Sequence, residues 1–419
     1  MTSTRPATPG TAPADRREGR SPLEAAGPRG LRPAAVLALV ASVAIAALGL
    51  AWWIAPDLSP FAGPSSRSLA SVLLDPAQFA AAVFATGAVG TVAAVFAIAV
   101  AAGGALGRRA ALVACAATVL AVAVTVVLGD AGTITFAGYV FGFCAVVAGI
   151  VTTAVLVVRA PRLGVPLVAL LLAVVALAVW WAGLTWAGVT EFLGEFGAGL
   201  VTNSPYILIS AVSVAAVVGW TAVAIIAGRT TREVRTFEAA IVRHRRALTV
   251  LAALGPVPYL VMRASWLTPW PLFAPGAGEL SPTVLATGLM LGSGAAAAVV
   301  LTLGLILPWG RVFPRWMPRI GGRPVPVRLA VVPGLFAAAI ITISAVPLVI
   351  MSLGQDSLVD VLVFDLVLPL WFWGPMLALA VWAYAAWRRE EAAPDGTQPA
   401  QTPADAGTGT EQPVSRPAA

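Results

Sequence analysis

The chain has 419 residues, of which 59% are hydrophobic and 11% are charged, and its formal net charge is +7. Because a soluble domain carries about 25% charged residues, this composition excludes a soluble globular protein and predicts an integral membrane protein. The sequence contains no lysine, and most arginines lie beside apolar segments. We therefore expect anionic lipid headgroups, and not nucleic acid, as their neighbours.

Ten apolar runs are long enough to cross a bilayer, since a spanning helix needs about 20 mostly apolar residues. Backbone groups in lipid must form hydrogen bonds within their own segment, so each run predicts an α-helix. In chain order the runs are Ala34–Ile54, Phe79–Ala101, Ala110–Leu128, Tyr139–Val158, Val165–Trp186, Tyr206–Ala227, Ala247–Trp266, Val284–Leu307, Leu329–Met351 and Val361–Trp387. The predicted fold is an all-α, polytopic integral membrane protein with a ten-helix transmembrane domain over residues 33–388. Residues 1–32 and 389–419, rich in Pro, Ala, Gly and Thr, are predicted to be disordered tails.

Arginine placement predicts the orientation, because cytoplasmic loops collect Lys and Arg. With the amino terminus inside, every arginine except Arg67, Arg263 and Arg416 lies in the amino-terminal tail, in an inner loop or just beyond the last run. The outer segments are acidic instead, with Asp57, Asp75, Asp130, Glu191, Glu195, Glu279, Asp356 and Asp360. We predict that both termini are cytoplasmic.

The two cysteines, Cys115 and Cys144, fall within the third and fourth apolar runs. We expect them to be small buried residues, not a disulfide or metal pair.

After the sixth run, residues 232–246 place Val234, Phe237 and Ile241 at helical spacing among arginines. This segment predicts an amphipathic helix in the inner interface or an extension of the sixth helix.

The seventh run contains the sequence Leu254-Gly-Pro-Val-Pro-Tyr259, which places Gly255, Pro256 and Pro258 near mid-membrane. Proline removes a backbone donor and clashes with the preceding turn, so a kink or break is predicted. Broken helices at the midplane often form substrate sites in secondary transporters, although prolines also occur in ordinary kinked membrane helices. Further prolines in the ninth and tenth runs have no counterpart in the first five, which argues against a simple five-plus-five repeat.

Two ionisable residues lie within apolar runs, Arg263 in the seventh and Asp365 in the tenth. Intramembrane ionisable residues are functional-site hypotheses. Both lie on the order of 5 Å below the outer boundary when counted at 1.5 Å per residue. This match predicts an ion pair that joins the two helices. The alternative is that one of them faces a water-filled cavity and contacts a charged substrate.

The eighth run carries a GxxxG motif from Gly288 to Gly292. Small residues at this spacing let another backbone approach closely. The partner is either another helix of the chain or a second copy, which would make the motif a self-association surface.

The loop Trp309–Arg328 follows the eighth run and contains Arg311, Arg315, Arg319, Arg323 and Arg328 together with Trp309 and Trp316. Its prolines exclude a regular helix, and it lacks the Gly-Lys-Ser/Thr ending of a phosphate-binding loop. We interpret it as an inner-loop topology anchor, with binding of anionic lipid or a protein partner as the alternative.

The pattern W-G-x-x-F-P-R-W-x-P-x-I-x-G-R-x-V-P in this loop, with Ser265-Trp-Leu-Thr-Pro-Trp-Pro271 upstream, resembles uncharacterised multi-spanning membrane proteins of high-GC Gram-positive bacteria (actinobacteria). The resemblance covers Ala247 to about Pro333. It implies a plasma-membrane location, and it implies no activity and no functional residues.

Enzyme motifs are missing from the sequence, which has no His-Glu-x-x-His, no paired intramembrane aspartates, no Gly-x-Ser-x-Gly and no Cys/His cluster. We expect no catalytic, cofactor or metal site.

Three classes of function stay open. They are a structural or accessory component of a membrane assembly, a transporter or permease of a small neutral or anionic solute, and a lipid-modifying enzyme using Asp130, Glu191 and Glu195 at the outer face.

Overall fold

A computed structural model describes residues 30–61, 68–103, 106–274, 280–355 and 357–392. The described part of the chain forms fifteen α-helices: α1 Leu31–Ile54, α2 Leu69–Leu73, α3 Pro76–Ala102, α4 Leu106–Leu128, α5 Ala131–Arg159, α6 Pro161–Ala176, α7 Trp186–Thr202, α8 Ser204–Gly228, α9 Arg232–Arg243, α10 Arg245–Leu254, α11 Val257–Ser265, α12 Pro282–Leu303, α13 Val327–Ser352, α14 Leu358–Val367 and α15 Leu370–Ala392. In the described residues, ten helical segments are long and apolar enough to cross a membrane. Two of these segments each combine two helices, α10 with α11 and α14 with α15. The predicted all-α polytopic fold is confirmed.

The predicted tails lie largely outside the described residues, as do Arg67, Glu279 and Asp356. At the carboxyl end, however, α15 continues to Ala392, beyond the predicted boundary at residue 389. The extra residues are ordered because they bond to other segments: Glu391 pairs with Arg311, and Arg389 pairs with Glu238.

Helix α7 was not predicted, because its glutamates and glycines are typical of an outer loop. Its amino terminus is capped by Thr185, whose hydroxyl accepts a hydrogen bond from the Gly188 amide at 3.1 Å. Phe192 and Phe196 of this helix stack on each other and contact Tyr139 of α5. Packing of one face against α5 and α12 therefore stabilises this segment as a helix.

A first core lies between α1, α3, α4 and α8. Helices α1 and α3 approach closely because glycine stands at the crossing: a Cβ on Gly87 would lie 2.6 Å from Cα of Ala46, and one on Gly49 would lie 2.6 Å from Cα of Phe84. Buried Trp220 of α8 donates its indole N–H to the Ser42 hydroxyl at 3.3 Å.

A second core lies between α10, α13 and α15 and includes Ala252, Ile341, Leu377 and Tyr384. Helix α12 packs beside it against α5, where a Cβ on Gly294 would lie 3.1 Å from Cα of Gly142. The helices that line the candidate site, α5, α11, α12 and α14, lie next to this core.

Cys115 and Cys144 are exposed on α4 and α5, so the expectation that they are buried is wrong. The reason is that lipid is as apolar as a protein interior, and a small apolar residue in a membrane helix can face either.

The bundle has two chemically different ends. We call the end that carries α9, residues 304–326 and the carboxyl end of α15 the arginine-rich end; contacts between these segments hold them together. The opposite end, with Asp57, Asp130, α7 and the turn between α13 and α14, is called the acidic end.

Candidate functional site

A cavity of about 620 Å³ lies near the acidic end of the bundle, between α5, α11, α12 and α14. Its size falls within the range of about 300–1,000 Å³ that is usual for small-molecule sites. The lining residues are Tyr139, Tyr259, Met262, Arg263, Trp266, Phe273, Val284, Thr287, Gln355, Asp360, Val363, Phe364, Val367 and Leu368. Five aromatic rings thus surround a small number of polar groups, one of them a cation.

The glycines of the GxxxG motif make room for the two side chains at the centre of the site. A Cβ on Gly288 would lie 2.5 Å from Cζ3 of Trp266, and one on Gly292 would lie 3.1 Å from Cβ of Arg263. The partner of the motif is therefore α11 of the same chain. Within the chain this surface is covered by Trp266 and Arg263, which supports packing inside the chain over self-association through Gly288 and Gly292.

Arg263 is held by the two aromatic residues on its own segment. Its Nε donates to the Tyr259 hydroxyl at 2.9 Å. Its guanidinium carbon lies 4.2 Å from the centre of the Trp266 ring and 4.8 Å from that of Tyr259, the geometry of a cation–π contact. Within the described part of the chain, the terminal nitrogens Nη1 and Nη2 have no hydrogen-bond acceptor.

The predicted ion pair between Arg263 and Asp365 is not formed. Asp365 instead accepts a hydrogen bond from the Ser352 hydroxyl at 3.2 Å, at the end of α13. The carboxylate that faces the cavity is Asp360, with Val363, Phe364 and Val367. These positions follow the i, i+3, i+4, i+7 spacing of one helical face, and Asp365 lies off that face.

Asp360 lies in the first turn of α14, whose amino terminus is capped by Ser357. The Ser357 hydroxyl donates to Oδ2 of Asp360 at 2.6 Å and accepts from the Asp360 amide at 3.1 Å. Arg263 lies two residues before the end of α11, so both charges are in the helical turn nearest the acidic end. The ion pairs of the described residues do not include Arg263 with Asp360.

Two interrupted helices meet next to the cavity. The α-helical hydrogen-bond pattern is interrupted between α10 and α11 at Gly255–Pro256, where the sequence predicts a kink or break, and both residues keep right-handed helical dihedral angles. Pro258 lies in the first turn of α11. A second break at Leu368–Pro369 separates α14 from α15. The breaks are neighbours, because Trp373 of α15 covers Gly255: a Cβ there would lie 2.5 Å from Cδ1 of the ring.

The two halves of the interrupted helices pack differently. Helices α10 and α15, on the arginine-rich side of the breaks, pack together around Ala252 and Leu377. Helices α11 and α14, on the acidic side, both line the cavity. The cavity thus lies on the acidic side of the breaks, and a packed core lies on the other side.

At the arginine-rich end, residues 232–243 form the separate amphipathic helix α9, capped by Thr231. Its Glu238 accepts hydrogen bonds from Arg229 at 3.0 Å, from the Trp382 indole at 2.9 Å and from Arg389. Burial lowers the pKa of the Arg229 guanidinium and the charge of Arg389 lowers it further, while Glu238 raises it. Glu238 therefore joins α8, α9 and α15.

The loop Trp309–Arg328 is a hairpin-like turn. The Phe313 amide donates to the Arg323 carbonyl, and the Val325 amide donates to the Arg311 carbonyl, at 2.9 and 2.8 Å. Arg319 and Gly322 have positive φ angles of 65° and 81° where the chain reverses.

Helix α15 holds this loop in place. The Tyr384 hydroxyl donates to the Gly310 carbonyl at 2.9 Å, and Arg388 donates to the Val325 carbonyl at 3.3 Å. Trp309 folds back on Gly304, where a Cβ would lie 2.5 Å from Cζ3 of its ring. Trp316 is half-buried, and the arginines Arg315, Arg319, Arg323 and Arg328 are exposed.

The outer carboxylates considered for catalysis do not form a common site. Glu191 accepts a hydrogen bond from the Thr283 hydroxyl at 2.6 Å, Asp130 is buried at the start of α5, and Glu195 is exposed. In the described residues no group of three or more His, Cys, Asp or Glu side chains could hold a metal ion.

The sequence analysis named Arg263 but missed its partners in the site. Tyr259 and Trp266 stand four residues before and three residues after it, a spacing that would have indicated a shared helical face. Asp360 had been placed in an outer loop because α14 begins three residues before the predicted run. Tyr139 and Thr287 carry no signal of their own. Comparison with protein-family models, with curated proteins and with solved structures gives no match to this chain.

Proposed function

We propose that this integral membrane protein is a permease that binds the anionic group of a small organic solute at Arg263. The observation that carries the proposal is Arg263, which lines an aromatic cavity and whose terminal nitrogens have no protein acceptor in the described chain. A buried or half-buried charge is costly unless it is paired. An anionic ligand would supply the missing partner.

The interrupted helices support transport over simple binding. Discontinuous membrane helices form the substrate sites of many secondary transporters. Here the two breaks, at Gly255–Pro256 and at Leu368–Pro369, are neighbours, and the cavity lies on the acidic side of them while a packed core lies on the other side. This asymmetry is what alternating access requires of one of its two states. It favours a permease over an accessory role and over a lipid-modifying enzyme.

The orientation that we propose places the arginine-rich end in the cytoplasm and the cavity on the outer side of a bacterial plasma membrane. The distribution of arginine supports the orientation, and the resemblance of residues 247–333 to actinobacterial membrane proteins supports the plasma-membrane location. The exposed Arg315, Arg319 and Arg323 would then meet anionic headgroups at the inner leaflet, each with about 1 kcal/mol of attraction.

The proposal is tested by ligand-induced stabilisation of the purified protein, followed by counterflow in proteoliposomes, with 3-phenylpropionate as the first probe. A ligand that binds only the folded form at about 100 times its Kd adds roughly 2.7 kcal/mol. In Arg263→Gln we expect the affinity to fall about tenfold to hundredfold, because a hydrogen bond to a charged group contributes about 1.5–3 kcal/mol.

Arg235→Gln is the matched control, since Arg235 is an exposed arginine of α9 at the other end of the bundle. It should leave binding unchanged. If Arg263→Gln binds 3-phenylpropionate as well as the wild type does, or if no carboxylate probe binds at all, the permease proposal is wrong.

A further inference from the structure

The cavity carries two opposite charges that are not paired with each other. Arg263 on α11 and Asp360 on α14 both line it, and the ion pairs of the described residues do not include the two together. Opposite charges that share a cavity without contact leave space for a ligand between them. A ligand with a single negative group would satisfy Arg263 and leave Asp360 repelling it.

The positive side of the site is specific for an anionic group. The guanidinium carbon of Arg263 lies within 4.8 Å of the centres of the Trp266 and Tyr259 rings, and its Nε donates to the Tyr259 hydroxyl. The donors that remain are those of Nη1 and Nη2, and one N–H of each nitrogen shares the terminal edge of the planar group. Two donors on one edge match the two oxygens of a carboxylate or phosphate.

The negative side is suited to a cation. Ser357 bonds to Oδ2 of Asp360, and in the described chain Oδ1 has no donor. Phe364 lies on the same face of α14, and Phe273 also lines the cavity. A carboxylate with aromatic rings nearby is a common environment for ammonium groups, which are attracted to the ring face as well as to the charge.

We propose that the site selects zwitterions, with the anionic group of the solute at Arg263 and its cationic group at Asp360. The inference rests on the proposed function and names its substrate class. The apolar part of the ligand would contact Val363 and Phe364. Such a ligand can be a free amino acid or the headgroup of a zwitterionic phospholipid, which share this charge pattern.

The test compares three probes that share one aromatic part and differ only in charge. Phenylalanine is the zwitterion, 3-phenylpropionate carries only the negative group and phenylalaninamide only the positive one. Binding to the full-length purified protein is measured by calorimetry. We expect phenylalanine to bind at least tenfold more tightly than either single-charge probe. Equal affinities of phenylalanine and 3-phenylpropionate would overturn the inference.

The decisive variant is Asp360→Asn, which removes the charge while keeping a residue that tolerates a helix amino terminus. We expect it to bring phenylalanine and 3-phenylpropionate to similar affinities, with 3-phenylpropionate binding no worse than to the wild type. An unchanged ratio overturns the inference. Asp57→Asn, at the same end of the bundle and outside the cavity, must leave the ratio unchanged; an equal effect there would indicate general surface charge and also overturn it.

The two proposals fail in different ways. If Arg263→Gln abolishes binding of 3-phenylpropionate and Asp360→Asn changes nothing, the permease site stands and the selection of zwitterions is wrong. If Arg263→Gln has no effect, or none of the probes binds, both are wrong.

The source of the zwitterion is decided by a second pair of probes. Glycerophosphoethanolamine is compared with glycerophosphate, using wild type and Asp360→Asn. A preference for glycerophosphoethanolamine that depends on Asp360 supports a lipid headgroup, and the corresponding preference for phenylalanine supports a free amino acid. Absence of an Asp360-dependent preference in both pairs overturns the inference.

Discussion

Gly288→Ala tests the packing that shapes the site. The added Cβ would lie 2.5 Å from Cζ3 of Trp266, about 1 Å inside the 3.5–4.0 Å at which carbon atoms attract each other best. Moving the ring away weakens two interactions. These are its N–H bond to the Leu272 carbonyl at 3.0 Å, worth about 1 kcal/mol, and its contact with Arg263 at 4.2 Å, worth about 0.5–2 kcal/mol.

Alanine is favoured over glycine in a helix by about 1 kcal/mol. Loss of both interactions would outweigh this gain, so the free energy of unfolding should fall by about 0.5–2 kcal/mol. The measurement is denaturant or thermal unfolding of the detergent-purified protein, with intrinsic tryptophan fluorescence as the signal. Gly149→Ala on α5 is the control, because a Cβ there meets nothing within 4 Å; it should be neutral or stabilising by up to about 1 kcal/mol. Equal stability of the two variants would refute the assignment of Gly288 to a close contact with Trp266.

Two further predictions concern the arginine-rich end and the orientation. Glu238→Gln should lower the free energy of unfolding by about 1–3 kcal/mol, because a carboxylate that is 16% exposed loses charge-assisted hydrogen bonds from three donors. The control is Glu390→Gln, at an exposed residue of the same end, which should change the free energy of unfolding by less than about 0.5 kcal/mol. Equal effects of the two substitutions would contradict the role of Glu238. In a background without the two native cysteines, a membrane-impermeant maleimide should label Ser357→Cys in intact cells and Arg315→Cys only in inverted vesicles. Labelling with the opposite pattern would show that the arginine-rich end is extracellular.

The apolar runs were predictable because length and composition alone decide whether a segment can cross a bilayer. Ten runs were predicted, and ten helical segments of the described chain meet that criterion. The break at Gly255–Pro256 was equally local, since proline lacks a backbone donor whatever its neighbours are. Arg263 was found because a cation in an apolar run stands out from the residues around it.

The errors have a common cause. Asp365 was chosen as the partner of Arg263 from its depth along a helix, but depth does not give the rotation of a helix about its axis. Packing sets that rotation. It directs Asp360 toward the cavity and leaves Asp365 with Ser352. The helix Trp186–Thr202 was missed for a similar reason, because its contacts with α5 and α12 are not visible in its own composition.

By itself, then, the sequence determined that this chain is a helical membrane protein, how many times it can cross the bilayer and where its helices weaken. These properties follow from the solubility of single segments in lipid and from the chemistry of single residues. Only the tertiary structure decided that the GxxxG face of α12 covers Arg263 and Trp266, that the two breaks adjoin, and that a cation and a carboxylate share one cavity. Those features depend on contacts between segments far apart in the chain, such as Gly255 with Trp373, where helix rotation and close packing are fixed by all the neighbours together.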